Sequence, residues 1–421
     1  MSALAKSWSA SIESRWLLPG AIALFLVALT LLHWGWYQHA LIRDTVEYHR
    51  YGEAMVNGHV PYRDFAVEYP PGALPAFGLP AVGEPSFSLY DHEFQLLMAL
   101  CGVGALAAMS LALRALNASV ERTAAALAFF ALAPLVLGSV ILYRYDLWPA
   151  ALTVAGLAAV LARRERLGFA AIGLGVAAKA FPAAMLPPAV AYVWRTRGRR
   201  AALVCIGVAA AVALAVIVPF LVLAPHGVWA SIERQTARPL QIESLGSALL
   251  IAAHHVGGLA VTVVSSHGSQ NLTGSLPDAL GTASSVLLGL VLVGIWVAAA
   301  RGPATPDRLV RFTAASLAAF VALGKVLSPQ FLIWLLPIVP LVRGRRGLAA
   351  SALLALALLL TQVWFPGRYW DYVKEFDVVA SWAVLARDLV LLVLVASLLA
   401  PVRARAPAPA RSPSPGRPAR T

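Results

Sequence analysis

The chain has 421 residues, of which 60% are apolar and only 13% are charged, and its mean hydropathy is +0.75. Soluble domains carry about 25% charged residues, so this composition excludes soluble enzymes, nucleic-acid-binding proteins and secreted disulfide-stabilised proteins. The formal net charge of +13 is spread over separate short loops. The sequence therefore predicts an all-α polytopic membrane protein that has membrane lipids, and no nucleic acid, as partners.

Long uncharged segments recur along the chain. A bilayer-spanning helix needs roughly 20 apolar residues, and such helices are predicted near residues 16–36, 94–113, 123–142, 147–162, 201–223, 279–300, 347–364 and 379–400. Two further segments, 167–194 and 312–342, are too long for one helix and have arginines at both ends. Each is predicted to be a hairpin of two short helices, which brings the total to about 12 helices.

The basic residues predict the orientation of these helices, because short loops rich in Lys and Arg lie on the cytoplasmic side. The basic clusters are Arg163–Arg166, Arg195–Arg200, Arg301–Arg311, Arg343–Arg346 and the segment that starts at Arg403. Placing them inside puts about two thirds of the 33 Lys and Arg residues, together with both termini, in the cytoplasm. The expected location is the cell membrane, with any active site facing outward.

Three other segments complete the predicted organisation. The first extracytoplasmic loop, 37–93, is long and rich in ionisable residues. The uncharged segment 244–264 is assigned to the outer face as a surface helix or re-entrant piece, because a span there would turn the next basic cluster outward. Residues 1–400 are predicted to form a single domain, and 401–421, with repeated Ala, Pro and Arg, a disordered cytoplasmic tail.

The first outer loop contains a candidate general base. Asp44, Glu47 and Tyr51 are spaced so that a helix continuing from the first span would align them on one face. A carboxylate such as that of Asp44, close after the first helix and at the membrane surface, is placed to take a proton from a hydroxyl group. The alternative is a solvated amphipathic surface helix.

Charged residues in other outer segments are candidates for binding an anion. In the short loop Tyr143–Asp146, Arg144 and Asp146 either neutralise each other or leave Arg144 to hold a phosphate. Lys179 and Lys325, two of only four lysines, lie at the predicted hairpin tips. They either extend to the membrane interface or recognise an anionic group.

The remaining polar residues give weaker signals. Glu233, Arg234, Arg238 and the run Pro239–Ser244 lie in an outer loop and are candidates for contact with a polar substrate. No zinc-binding spacing is present in the sequence, and Cys101 and Cys205 lie in apolar segments. No disulfide framework, metal site or cofactor is expected.

Taken together, these motifs resemble bacterial glycosyltransferase family 87, the polyprenol-phosphate-mannose-dependent α-mannosyltransferases of the membrane C-type glycosyltransferase fold. The resemblance covers residues 16–400. The matching features are Asp44, Pro61–Phe65, Glu68–Gly72, Tyr143–Asp146, Ala178–Pro182, Arg238–Ser244 and Lys325–Gln330.

The resemblance implies transfer of mannose from a polyprenyl-phosphate donor to a hydroxyl group of a glycolipid or polysaccharide, at the extracytoplasmic face and without a metal. Asp44 is the expected general base of a single inverting displacement. Arg144, Lys179 and Lys325 are the expected cations around the departing phosphate. The residues expected to position sugar hydroxyls are Glu68, Asp146, Arg238 and Gln330.

A second hypothesis is a transporter or flippase of lipid-linked saccharides. Interrupted helices such as the two predicted hairpins are typical of transporters. Transporters usually show repeated halves and sites near the bilayer midplane, whereas the polar residues here cluster in the outer loops. A purely structural membrane subunit is a third hypothesis, and the long charged first loop argues against it.

Overall fold

The computed structural model describes residues 3–38 and 42–400, with side chains from residue 15 onward. Leu41 and the predicted tail 401–421 lie outside the described residues. The α-helices of the described part, in chain order, are α1 (Ala3–Leu31), α2 (Thr45–Val56), α3 (Leu74–Gly78), α4 (Phe87–Ala115), α5 (Val120–Leu137), α6 (Val140–Tyr143), α7 (Leu147–Leu161), α8 (Glu165–Ala178), α9 (Leu186–Arg197), α10 (Arg199–Leu223), α11 (Pro225–Thr236), α12 (Leu245–Gly257), α13 (Ser275–Arg301), α14 (Pro306–Leu323), α15 (Gly344–Trp364), α16 (Tyr369–Glu375) and α17 (Val378–Leu399).

Six of the described helices, α4, α5, α10, α13, α15 and α17, are long and apolar enough to cross a membrane. Shorter apolar helical segments are Arg15–Leu31, Leu147–Leu161, Leu245–Gly257 and Pro329–Leu341. The prediction of a polytopic helical membrane protein is confirmed. The total of about 12 helices stays a prediction, because several of the remaining helices are shorter than the roughly 20 residues that a span requires.

The first predicted hairpin is interrupted at Lys179. Helix α8 ends at Ala178, Lys179 is extended with φ −162° and ψ 146°, and a 3₁₀-helix at Phe181–Met185 leads into α9. Proline lacks the N–H group that an α-helix needs in its interior, and Pro182 stands at the start of this 3₁₀-helix. The break therefore lies where the sequence predicts it.

The second predicted hairpin differs in its returning arm. Helix α14 ends at Leu323, but the chain then forms only 3₁₀-helices, at Pro329–Trp334 and Val339–Leu341, joined by turns. Pro337 and Pro340 follow Pro329 at short intervals, and each proline removes a backbone donor, so an uninterrupted α-helix cannot form. The predicted second helix is replaced by this series of tight turns.

The segment that follows α1 also departs from expectation. Helix α1 ends at Leu31, a 3₁₀-helix follows at Gly35–Gln38, and α2 begins anew at Thr45 with Asp44 as its N-cap residue. Asp44 is therefore not on a continuation of the first helix. Thr45 Oγ1 donates a 2.6 Å hydrogen bond to Asp91 Oδ1 on α4, and this bond ties the beginning of α2 to a spanning helix.

A small antiparallel sheet lies between α11 and α13, and the sequence analysis did not predict it. Its strands are β1 (Leu240–Gln241), β2 (Thr262–Ser266) and β3 (Ser269–Thr273), in the order β1-β3-β2. Leu240 pairs with Leu272, and Val263 pairs with Leu272 from the other side. The uncharged segment 244–264 thus becomes α12 followed by β2. With 13 residues, α12 is about 20 Å long, less than the ~30 Å hydrocarbon core.

Gly72 allows the loop between α2 and α3 to approach the break after α8. A Cβ atom at position 72 would lie 2.5 Å from the carbonyl carbon of Ala177 and 2.6 Å from the nitrogen of Ala178. The indole N–H of Trp148 on α7 donates to the Gly72 carbonyl at 3.2 Å. Any other residue at position 72 would push the loop away from the segment that precedes Lys179.

We predict that Gly72→Ala lowers the thermal unfolding midpoint and reduces the activity of the protein at least tenfold, because the added methyl group meets backbone atoms that cannot move aside. The matched control is Gly104→Ala on α4, where a Cβ would have no neighbour within 4 Å. Thermal unfolding in detergent and an activity assay measure the two effects. Equal behaviour of the two variants would contradict the prediction.

Candidate active site

Asp146 lies at the centre of a buried polar contact that joins three segments of the chain. Its Oδ1 is 2.6 Å from Lys179 Nζ and accepts a 2.6 Å hydrogen bond from the indole N–H of Trp334. Only 1% of Asp146 is exposed. The loop before α7, the break after α8 and the 3₁₀-helix after α14 therefore meet at one carboxylate.

Aromatic rings surround the ammonium group of Lys179. Its Nζ lies 4.6 Å from the ring centroid of Tyr145, 5.1 Å from that of Trp334 and 5.4 Å from that of Phe331. Rings at this distance attract a cation through their quadrupoles. Burial nevertheless lowers the pKa of Lys179, and the opposing attraction of Asp146 favours the charged form. The ammonium group of Lys179 is thus held inside the protein, with 16% of the side chain exposed.

Asp44 and Arg144 form a salt bridge that brings the beginning of α2 to the same place. The Arg144 side chain is 9% exposed, whereas 29% of the Asp44 side chain remains accessible. The hydroxyl of Tyr48, one helical turn further along α2, lies 3.4 Å from Asp44 Oδ2, the same oxygen that contacts Arg144. Among the described residues, Oδ1 of Asp44 takes part in no hydrogen bond.

Arg238 adds positive charge near Lys179, and Lys325 lies beside Arg238. The Lys325 ammonium group donates to the carbonyl of Thr236 at 2.8 Å, and the Lys325 carbonyl accepts from the backbone N–H of Gln241 at 3.0 Å. Within the described chain neither Arg238 nor Lys325 forms a salt bridge. Burial and the neighbouring charge of Arg238 lower the pKa of Lys325.

The charges of these segments act on one another. Burial, and then the charges of Arg144 and Arg238, lower the pKa of Lys179, against the attraction of Asp146. Burial lowers the pKa of Arg144 to about 10, an effect that Asp146 and Glu243 oppose. The structure therefore brings together five of the predicted site residues as one charged group: Asp44, Arg144, Asp146, Lys179 and Arg238, with Lys325 beside Arg238.

Glu68 and Gln330 lie at the edge of this group. The carboxylate of Glu68 forms a 2.7 Å salt bridge with Arg234 on α11, and its backbone carbonyl accepts from Gln235 at 2.9 Å. Its negative charge also acts on Arg238. Gln330 is half-buried in the 3₁₀-helix after α14, and its side chain makes no hydrogen bond to another described residue.

Glu243 also lies close to this charged group. Its carboxylate is 2% exposed and accepts hydrogen bonds from Gln241 Nε2 at 2.7 Å and from Ser328 Oγ at 3.2 Å. Burial raises the pKa of Glu243 to about 7, against the opposing attraction of Arg387 and, more weakly, of Arg144. The sequence analysis named the run Pro239–Ser244 as a candidate for contact with a polar substrate. It gave no separate role to the carboxylate of Glu243.

A charged pair on the last spanning helix was also missed. Arg387 and Asp388 are both fully buried, with Nε of Arg387 2.7 Å from Oδ1 of Asp388. Ionisable residues within a span are costly and mark functional positions by default, so two such residues inside α17 were a usable signal. Among the residues that the structure describes, no group of three or more His, Cys, Asp or Glu side chains is arranged to hold a metal ion.

A family comparison gives the class of protein. The model of glycosyltransferase family 87 matches residues 67–329. The chain belongs to glycosyltransferase family 87. This family 87 protein is therefore a membrane glycosyltransferase, and the resemblance inferred from the motifs is confirmed. The matched range contains Arg144, Lys179, Arg238 and Lys325, but not Asp44 or Gln330.

Structure comparisons find ArnT from Cupriavidus metallidurans in two states. The form bound to undecaprenyl phosphate has a TM-score of 0.48 and 16% sequence identity over 91% of this chain and 76% of ArnT. The apo form has a TM-score of 0.45 and 15% identity over 94% of this chain and 77% of ArnT. A comparison with curated proteins gives no significant match.

We predict that Asp146→Asn destabilises the family 87 protein strongly. Removing one partner of a buried pair costs about 3–5 kcal/mol because the other charge is left without compensation, and here that charge is Lys179. The double variant Asp146→Asn/Lys179→Gln removes both charges and should recover part of this loss. Thermal unfolding in nanodiscs measures both variants.

The matched control for this prediction is Asp307→Asn, because Asp307 forms a 3.1 Å salt bridge with Arg343 in which both side chains are exposed. Exposed pairs contribute little to stability, so the unfolding midpoint should hardly change. An Asp146→Asn protein as stable as the Asp307→Asn protein would rule out a stabilising role of the buried pair.

Proposed function

We propose that this membrane glycosyltransferase transfers mannose from a polyprenyl-phosphate donor to a hydroxyl group of a glycolipid or polysaccharide, at the extracytoplasmic face of the cell membrane. The observation that carries the proposal is the partly accessible carboxylate of Asp44 held beside a group of buried cations. A base and an anion site in contact are the two parts that displacement of a phosphate by a hydroxyl group requires.

The proposed phosphate site consists of Arg144, Arg238 and Lys325. Lys179 is closely paired with Asp146, so its charge is largely compensated. Arg238 and Lys325 have no such partner among the described residues, and each raises the cost of charging the other. A phosphate anion would relieve this repulsion. In this proposal Arg238 contacts the phosphate, and the sugar hydroxyls are left to Glu68 and Gln330.

The proposed reaction is one inverting displacement. The oxygen of the acceptor hydroxyl attacks the anomeric carbon, the bond from that carbon to the phosphate oxygen breaks, and the polyprenyl phosphate leaves as a monoester. The hydroxyl proton passes to Asp44. Because the leaving phosphate gains negative charge, the three cations stabilise the transition state more than the bound donor.

The geometry of Asp44 suits the role of base. Arg144 and Tyr48 both contact its Oδ2, and Oδ1 is left for the acceptor hydroxyl. Arg144 would keep Asp44 ionised before the reaction and at the same time reach toward the phosphate. The hydrogen bond from Thr45 to Asp91 and the 3.5 Å contact of Arg43 with Asp91 hold the two residues that flank Asp44 against α4.

We predict that Asp44→Asn lowers the rate of sugar transfer about 10²–10⁴-fold, the usual contribution of a general base. The purified protein in nanodiscs would be supplied with radiolabelled polyprenyl-phosphate mannose and with total membrane lipid as the source of acceptor. The matched control is Glu53→Gln, which removes an exposed carboxylate from the same helix and should leave the rate unchanged.

The same experiment separates the proposal from its alternatives. Product from wild type but not from Asp44→Asn supports both the reaction and the base. Equal product from both proteins would exclude Asp44 as the base. Labelled lipid that crosses proteoliposome membranes without forming product would contradict the proposed transfer and favour lipid transport instead.

A further inference from the structure

The carboxylate of Glu243 is fixed through one of its two oxygens. Oε2 accepts hydrogen bonds from Gln241 Nε2 at 2.7 Å and Ser328 Oγ at 3.2 Å, and Gln241 Nε2 also contacts Ser328 Oγ at 2.8 Å. Within the described part of the chain, Oε1 accepts none. A rigid carboxylate with one free oxygen is preorganised to accept a hydrogen bond from a ligand.

The backbone around Glu243 is fixed from a second direction. The Tyr372 hydroxyl on α16 donates to the carbonyl of Ile242 at 2.7 Å, and Arg387 Nη2 on α17 donates to the carbonyl of Glu243 at 2.6 Å. Arg387 is a buried charge in a spanning helix, which is costly to maintain. Because a buried arginine is kept at this cost and holds one short turn in place, we infer that the position of the turn matters for function.

Glu243 shares its surroundings with the proposed phosphate site. Its charge acts on Arg144, Arg238 and Arg387, yet among the described residues no basic side chain forms a salt bridge with it. Glu243 therefore lies close to these three arginines but forms no direct ion pair with any of them among the described residues. Arg144, on which the charge of Glu243 acts, forms the salt bridge with Asp44, so Glu243 and Asp44 are both near Arg144.

We propose that Glu243 binds a hydroxyl group of a pyranose ring through Oε1 and so contributes to the choice of sugar, an inference that rests on the proposed function. A fixed carboxylate recognises a hydroxyl donor at a defined position and disfavours a sugar that lacks it there, because the buried acceptor is then left unpaired. The ring belongs either to the donor or to the acceptor, and the binding measurements below distinguish the two.

The test compares two lipids that differ only in the sugar. The dissociation constants of polyprenyl-phosphate mannose and of polyprenyl phosphate are measured on the full chain in nanodiscs, for wild type and Glu243→Gln. At a pH of about 8.5, above the pKa of about 7 of Glu243, this carboxylate is ionised, and the loss of a hydrogen bond to it corresponds to about 10–100-fold in affinity. We expect this loss for the sugar-bearing lipid and no loss for polyprenyl phosphate, since neutralising an anion near the phosphate site does not weaken phosphate binding.

Two further variants keep the comparison interpretable. Glu375→Gln removes an exposed carboxylate from α16 and should change neither dissociation constant. Ser328→Ala removes one anchor of the Glu243 carboxylate and should weaken binding of the sugar-bearing lipid severalfold in the same direction. If Glu243→Gln does not fold, Ser328→Ala takes its place in the binding measurements.

The outcomes separate this inference from the proposed function. If Glu243→Gln binds the donor normally but has a KM for the acceptor raised about tenfold or more, the recognised ring is that of the acceptor, which also supports the inference. Equal shifts for both lipids, or no change in donor affinity and acceptor KM, would overturn it. Failure of wild type to transfer sugar from this donor at all would instead contradict the proposed function.

Discussion

The buried pair of Asp146 and Lys179 is the contact on which the site depends. Neither charge can be left alone in an apolar interior, since an unpaired buried ion costs several kcal/mol. The 2.6 Å contact between them, completed by the indole of Trp334, therefore keeps three segments together. Arg144 and Tyr145 sit immediately before Asp146, so the position of this carboxylate also determines where Arg144 meets Asp44.

Around this centre, three irregular segments contribute one charge each to a common group. The break after α8 supplies Lys179, the turn before β1 supplies Arg238, and the turn after α14 supplies Lys325. Each of these three residues lies in irregular backbone just after the end of a helix. The interruptions by proline and glycine let the backbone leave the helix and turn its charged residues toward the others. The same irregularity that suggested a transporter thus brings these charged side chains together.

The sequence predicted the membrane class, the break at Lys179 and the minimal loop at Arg144 and Asp146, because composition, proline positions and spacing are local signals. The salt bridge between Asp44 and Arg144 joins residues about 100 positions apart, and no local pattern reports such a pairing. The short polar strands β2 and β3 lack the alternation that reveals a half-buried strand. The importance of Glu243 depends on Arg387, Tyr372 and Ser328, which lie far along the chain and meet only in the folded protein.

The central claim is that a lipid-linked phosphate binds among Arg144, Arg238 and Lys325, next to Asp44. An electron cryo-microscopy map of the full chain in nanodiscs with polyprenyl phosphate tests it most directly. The account predicts phosphate density within hydrogen-bond distance of Arg144 and of at least one of the other two cations, with the Asp44 carboxylate facing the space that the sugar would occupy. Phosphate density elsewhere, with Arg144 still bound only to Asp44, would contradict the account.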